Sequence, residues 1–260
     1  MAYSEKIIPV LHSLRPLIMP GWGNAAIINK KDDLAVSVVT AIDIEIEKRT
    51  RDALSKLFPK IGFVGEECGG NRNTSEFWLM DPIDGTAHYI RGLPFCTTMI
   101  ALVQDGKINF SAIYDFVNDH MFFAERGKGA FRDETRLHVS TRSLQESYLC
   151  WETHLDNPEN MKIFLELRKK VILCNTITAG WECAMIAEGK YDGRITFDPH
   201  GKDYDFSPGS LLIEESGGVC KNLYSESYDY RNTSFIAANP KVYEELTSGF
   251  DALFPIRAQK

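Results

Sequence analysis

The sequence predicts a mixed α/β protein (class α+β/α/β), with a strand-rich half at residues 1–140 and a helix–strand half at 141–260 closing on one compact unit. Three observations carry that prediction. Ile42, Ile46, Ala53 and Leu57 fall on one helical face, and Pro59 marks the end of that helix. From Phe95 to Phe131 the pattern changes to strands and turns: Thr97–Val103, the Asp105-Gly106 turn, Ile108–Tyr114 and Met121–Ala124, closed by Gly127-Lys128-Gly129, read as a meander. Beyond residue 140 the segments alternate. A helix capped by Asn157-Pro158 runs to about Lys170, Val171–Cys174 is a strand, and Ala179–Glu188 is a helix stopped by Gly189.

Before these elements, residues 4–19 have helical spacing (Ile7, Leu11, Leu14, Ile18) that Pro9 and Pro16 should interrupt or kink. Residues 20–35, with Gly21, Gly23 and Lys30-Lys31-Asp32-Asp33, read as a loop. Val36–Thr40 then leads into the helix, whose first turn carries Asp43; alone, an acid there is ordinary helix-dipole chemistry.

Acidic residues gather at strand ends. Ile61–Gly65 is a short strand running into Glu66-Glu67, with glycines on both sides that allow close approach. The apolar run Phe77–Met80 leads into Asp81-Pro82-Ile83-Asp84-Gly85-Thr86. There Asp81 is expected where a helix or turn begins, with Pro82 at its first position. Gly85 admits a ligand close to the backbone, and Thr86 adds a hydroxyl. Carboxylates hold hard cations and free N–H groups at a helix start hold phosphate, so this corner suits a metal and a phosphate together. A plain Asp-Pro turn is the competing reading. The Asp-x-Asp-x-Thr pattern of haloacid-dehalogenase-type phosphatases does not fit, because the two acids stand three residues apart. A similar arrangement returns at Asp203–Gly218, where Asp205 or Ser207 is the expected cap, Pro208 a first-turn residue and Gly217-Gly218 the stop.

The whole chain sets bounds. At 260 residues it can bury a substantial core, and its net charge of −7 disfavours generic nucleic-acid or anionic-membrane binding. No apolar run approaches a membrane span and no leader pattern opens the chain, which places it in the cytoplasm. Six scattered cysteines without a Cys-x-x-Cys pair read as reduced, mostly buried hydrophobes.

Several segments in order, Val39–Asp43, Gly65-Glu66-Glu67, Trp78–Thr86, Arg91–Pro94, Gly127–Ala130 and Tyr204-Asp205 followed by Gly217-Gly218, resemble the inositol monophosphatase family of magnesium-dependent, lithium-sensitive phosphatases. The resemblance covers residues 30–240 and implies an α-β-α-β-α layered fold, two or three Mg²⁺ ions and a homodimer. Glu66, Asp81, Asp84, Asp205 and the Ile83 carbonyl match the family's metal ligands. Thr86 and Asp43 match the pair that orients the attacking water, with Glu67 assisting, and the Gly85 and Thr86 amides match the phosphate cradle. Lys30 or Lys31 matches a mobile-loop lysine. Thr178 and Ala179 fall on the polyol-contacting turn, beside Trp181.

The chain departs from the family at His88, Tyr89, Tyr204 and Ser207-Pro208. Thr196 stands where inositol-specific members carry a sugar-binding Glu, so the resemblance does not imply strict inositol specificity. The implied activity is hydrolysis of inositol monophosphate or a related small sugar phosphate. Fructose-1,6-bisphosphatase, 3′-nucleotidase and histidinol-phosphatase activities on the same fold are the alternatives within the class. A non-catalytic regulatory or scaffold protein is the alternative outside it.

Overall fold

The structure, a computed structural model, describes residues 3–30 and 38–256. The helical pattern near the N-terminus forms α1 (Tyr3–His12), which accommodates Pro9, and the short α2 (Arg15–Ile18), with a 3₁₀ turn following. The expected loop at 20–35 is corrected in part. β1 (Ile27–Lys30) pairs antiparallel with β2 (Val38–Thr40), and β-branched residues in both favour extended backbone. Lys30 closes β1, whereas Lys31 lies outside the described residues.

α3 (Ala41–Leu57) starts at a capping box in which the Thr40 hydroxyl accepts from the Ile42 amide and Asp43 accepts from the Thr40 amide. Then follow β3 (Gly62–Gly65), β4 (Gly69–Gly70), β5 (Glu76–Asp84), α4 (Thr86–Tyr89), β6 (Thr97–Gln104), β7 (Lys107–Asp115), β8 (His120–Glu125), β9 (Gly129–Arg132) and β10 (Thr135–Arg136). The later elements are β11 (Tyr148–Glu152), α5 (Pro158–Arg168), β12 (Ile172–Asn175), α6 (Ala179–Ala187), β13 (Gly193–Thr196), α7 (Asp203–Glu215), β14 (Val219–Asn222), β15 (Phe235–Ala238) and α8 (Pro240–Thr247).

Two expectations at the acidic corners are corrected. Asp81 does not open a helix: β5 continues through Pro82 to Asp84, and α4 begins only at Thr86. Proline is tolerated there because the register with β6 breaks between Asp81 and Asp84, so no ladder bond is asked of its nitrogen. Nor is Pro208 a first-turn residue. Lys202 occupies the N-cap of α7, Asp205 reaches back to its amide, and Pro208 lies inside the helix. Proline at that depth removes the hydrogen bond to the Tyr204 carbonyl.

The larger sheet has eight strands in the order β10-β9-β8-β7-β6-β5-β3-β4, and the smaller has five in the order β12-β11-β13-β15-β14. α1 and α3 cover the outer face of the large sheet, α6 and α7 lie between the sheets, and α5 and α8 cover the small sheet. The layers therefore run α-β-α-β-α. The inner core joins Leu79, Met99 and Ala101 of the large sheet to Cys183, Ile186, Leu211 and Leu212 of the middle helices. Trp78, Met80, Ile100 and Phe110 point the other way, onto Ile7, Leu11 and Ile46. This alternation along β5 and β6 is the strand period of two, with both faces buried. Among the described residues no helix is long and apolar enough to cross a membrane.

Candidate active site

β5 delivers Asp81 and Asp84 to the end of the large sheet, and the first turn of α7 delivers Asp205. Each of the three offers a carboxylate oxygen, and these oxygens lie within 4.8 Å of one another. Glu66 follows β3, the parallel neighbour of β5, and its amide donates to the Met80 carbonyl at 3.1 Å, which holds it beside Asp81. Asp81 is held far above the ordinary carboxylate range, first by burial and then by the charges of Glu66, Asp205 and Asp84. Burial and the charges of Glu66 and Asp84 do the same to Asp205. Asp84 is pushed up to about 7 by burial, although the Gly180 amide pulls the other way with a 2.7 Å hydrogen bond.

Like charges this close, at the buried end of a sheet, are costly unless a cation joins them. Asp81 Oδ1 is buried without a hydrogen-bond partner, so the corner has unused acceptor capacity. The donor set is oxygen only, which fits a hard divalent ion such as Mg²⁺. Asp81, Asp84, Asp205 and Glu66 are the side chains that would hold it.

Beside them stands a hydroxyl–carboxylate pair. The Thr86 hydroxyl has two acceptors in reach, Asp43 Oδ1 at 3.1 Å and the Ile83 carbonyl at 2.9 Å. Asp43 is itself fixed by the Thr40 amide and hydroxyl, at 2.8 and 2.6 Å. Burial raises its pKa, and the Thr40 bonds oppose the rise. Between Asp84 and Thr86, Gly85 takes a left-handed φ of +83° and caps α4. A Cβ there would lie 2.4 Å from the Thr178 methyl and 2.8 Å from the Phe95 carbonyl, so only glycine fits. At the start of α4 the amides of Gly85 and Thr86 precede the first helical bonds, which run from His88 and Tyr89 to the Gly85 carbonyl at 2.8 and 3.0 Å.

Thr178 and Ala179 stand at the mouth of α6 against Gly85, and the Thr178 hydroxyl is buried without a partner. Thr196 is wholly buried in β13 and donates to the Thr233 carbonyl at 3.0 Å. Glu67 lies in the turn after β3, next to Glu66.

Sequence reasoning missed two supports. Arg194, fully buried, is paired with both Glu182 and Glu152 and places a positive charge behind Asp84. Glu152 also accepts the Gly201 amide at 3.0 Å, and a Cβ on Gly201 would be 3.2 Å from Asp205. Glu47, also fully buried, accepts the amides of Glu67 and Cys68. The four-residue spacing Asp43–Glu47–Arg51 on one helix face was the available signal for the second. The first had none, because its members come from three distant segments.

A family model described as the inositol monophosphatase family matches residues 9–251. Inositol-1-monophosphatase of Rhizobium meliloti is 32% identical over 216 residues, covering 80% of each chain. Nus factor SuhB of Pseudomonas aeruginosa is 28% identical over 240 residues, covering 88% of this chain and 87% of its own. Among solved structures, Thermotoga maritima IMPase TM1415 superposes with a TM-score of 0.81 at 26% identity over 92% of both chains. On this match along nearly its whole length, with the acidic corner assembled in space, the chain belongs to the inositol monophosphatase family and is a phosphoric monoester hydrolase.

Proposed function

We propose that the chain is a Mg²⁺-dependent phosphomonoesterase that hydrolyses inositol monophosphate or a related small sugar phosphate by direct attack of water. The observation that carries this reading is the approach of Asp81, Asp84 and Asp205 to within 4.8 Å, beside the Thr86–Asp43 contact. Two or three bound Mg²⁺ ions would supply a water of lowered pKa and neutralise the phosphate and its leaving oxygen. Glu66, Asp81, Asp84, Asp205 and the Ile83 carbonyl would hold them, with Glu67 assisting through water. The Thr86 hydroxyl passes its own proton toward Asp43 and offers a lone pair to the hydrogen of the attacking water. Asp43, its pKa raised by burial, is the better proton acceptor for that raise. The amides of Gly85 and Thr86 would bind the phosphate oxygens. The leaving alcohol then faces Thr178, whose unpartnered hydroxyl suits a sugar hydroxyl. Thr196, with its hydroxyl spent on Thr233, gives little support to the tight polyol grip of inositol-specific members.

The test is phosphate release from inositol 1-phosphate, fructose 1,6-bisphosphate, a nucleoside 3′-phosphate and histidinol phosphate, each with and without Mg²⁺. Metal-dependent turnover of at least one sugar phosphate is expected. No release from any of them in saturating Mg²⁺ would remove the reading. The family match also supports a cytoplasmic homodimer, which sedimentation at micromolar concentration checks by a mass near twice 29.4 kDa.

A second reading, action through a macromolecular partner, has one observation behind it, the relative named Nus factor SuhB. Complementation by Asp84→Asn in a strain lacking the gene separates the two. Full rescue by the inactive variant would favour the partner role.

A further inference from the structure

We propose that Glu47 is a positioning residue that sets the metal affinity of the site without touching metal or substrate. The inference rests on the metal-site reading above. α3 carries two acids one turn apart, and both are withdrawn from solvent. Asp43 holds Thr86, whereas Glu47 holds the turn that follows β3. Its Oε2 accepts the Glu67 amide at 2.8 Å; its Oε1 accepts the Cys68 amide at 3.0 Å and an Arg51 N–H at 3.1 Å. Two consecutive amides on one carboxylate fix a turn in both position and orientation. With the Glu66 amide on Met80, residues 66–68 are clamped between the sheet edge and the helix. Gly65 completes the fit, since a Cβ there would lie 2.0 Å from Glu47 Cδ.

The clamp decides where Glu66 can carry its charge toward Asp81 and Asp205. Glu47 therefore links the two functional parts of the site through one rigid helix: the water-orienting pair at its first turn and the Glu66 side of the metal corner at its second. In Glu47→Gln one acceptor oxygen remains, and the new NH₂ faces an N–H group that it cannot accept from. Gly65→Ala attacks the same contact from the other side, pushing the carboxylate off the turn.

The experiment titrates Mg²⁺ by calorimetry into the metal-stripped full-length protein, wild type against both variants, and follows amide exchange at Glu67 and Cys68. Outer partners of metal ligands are worth about 10–100-fold in affinity, so both variants should raise the Mg²⁺ Kd about 10-fold or more. The two amides should exchange faster, while kcat at saturating Mg²⁺ changes much less than the Mg²⁺ concentration for half-activation. A Kd within about 2-fold of wild type in Glu47→Gln, whatever its Tm, would overturn the proposal, 10-fold being the least the clamp predicts. If Glu47→Gln does not fold, the same threshold applied to Gly65→Ala decides the matter. A wild-type protein that binds no Mg²⁺ takes down the metal-site reading and this inference together; normal wild-type binding with unaltered variant binding overturns this inference alone.

Discussion

Replacing Asp84 by Asn should make the metal-free protein more stable while destroying its function. Asp84 is 7% exposed, and burial lifts its pKa from the ordinary 3.8 to about 7. A carboxyl whose folded pKa is raised binds more protons folded than unfolded, so stability falls as pH rises. The benefit of the protonated form is complete below about pH 4 and gone above about pH 7, the two pKa values that bound the window. A rise from 3.8 to about 7 corresponds to about 4 kcal/mol. Asn keeps an oxygen for the Gly180 amide and carries no charge, so at pH 8 without metal it should recover much of that sum, on the order of 2–4 kcal/mol. For a chain of this size that amounts to a Tm higher by about 4–12 °C. The assay is a pair of thermal scans in EDTA, at pH 8 and pH 5, on wild type and Asp84→Asn. The gap should be widest at pH 8 and narrow to roughly two-fifths of that at pH 5, which is still about one unit above 3.8, and saturating Mg²⁺ should stabilise wild type more than the variant. A variant no more stable than wild type at pH 8 in EDTA would refute the view that this corner is built under electrostatic strain for a cation.

Other outcomes follow from the same geometry. Thr86→Ala should keep Mg²⁺ affinity within about 3-fold and lower kcat about 10²–10⁴-fold, the usual range for a lost proton-handling group; single-turnover kinetics with calorimetry checks both. Asp205→Asn should lose both metal affinity and turnover, with circular dichroism unchanged, because charge rather than packing is removed. Arg194→Met should leave Glu152 and Glu182 as unpaired buried acids and cost about 3–5 kcal/mol in urea unfolding at pH 7. Family membership, rather than geometry, implies inhibition by millimolar Li⁺, and a titration at sub-saturating Mg²⁺ showing none would count against a shared ion site.

How far the sequence could be read differs with the distance over which each feature is built. Asp81, Asp84, Gly85 and Thr86 were legible because their chemistry lies within six residues, and the φ of +83° at Gly85 is the backbone that glycine in such a corner implies. The meander of β6 to β8 was legible because its period and turns are local. Proline misled at both corners for one reason. Local chemistry puts it where its missing N–H is cheapest, yet Pro82 sits at a register break and Pro208 inside a helix. β11, β13 and β15 went unread: they are short, and tertiary burial rather than an alternating pattern selects them.

The least legible feature, the Glu152–Arg194–Glu182 group, shows what the fold had to solve. In sequence these are three ordinary charges, each of a type usually solvated. In the structure they join β11, β13 and α6, and they stand directly behind the acidic corner. Arg194 lowers the pKa of Asp84, and Glu182 raises it. Glu182 also accepts the Ile177 amide and the Thr176 hydroxyl, and so fixes the start of α6, where Thr178 and Gly180 meet Gly85 and Asp84. Both ends of the corner are thus held by buried acids that take no part in it: Glu182 on the α6 side and Glu47 on the β3 side. A site that gathers four carboxylates cannot rely on them to hold each other, because before a cation arrives they repel. Rigidity has to come from neighbours whose charges are already satisfied, and Glu47 and Glu182, each with an arginine partner and two backbone or hydroxyl donors, meet that requirement.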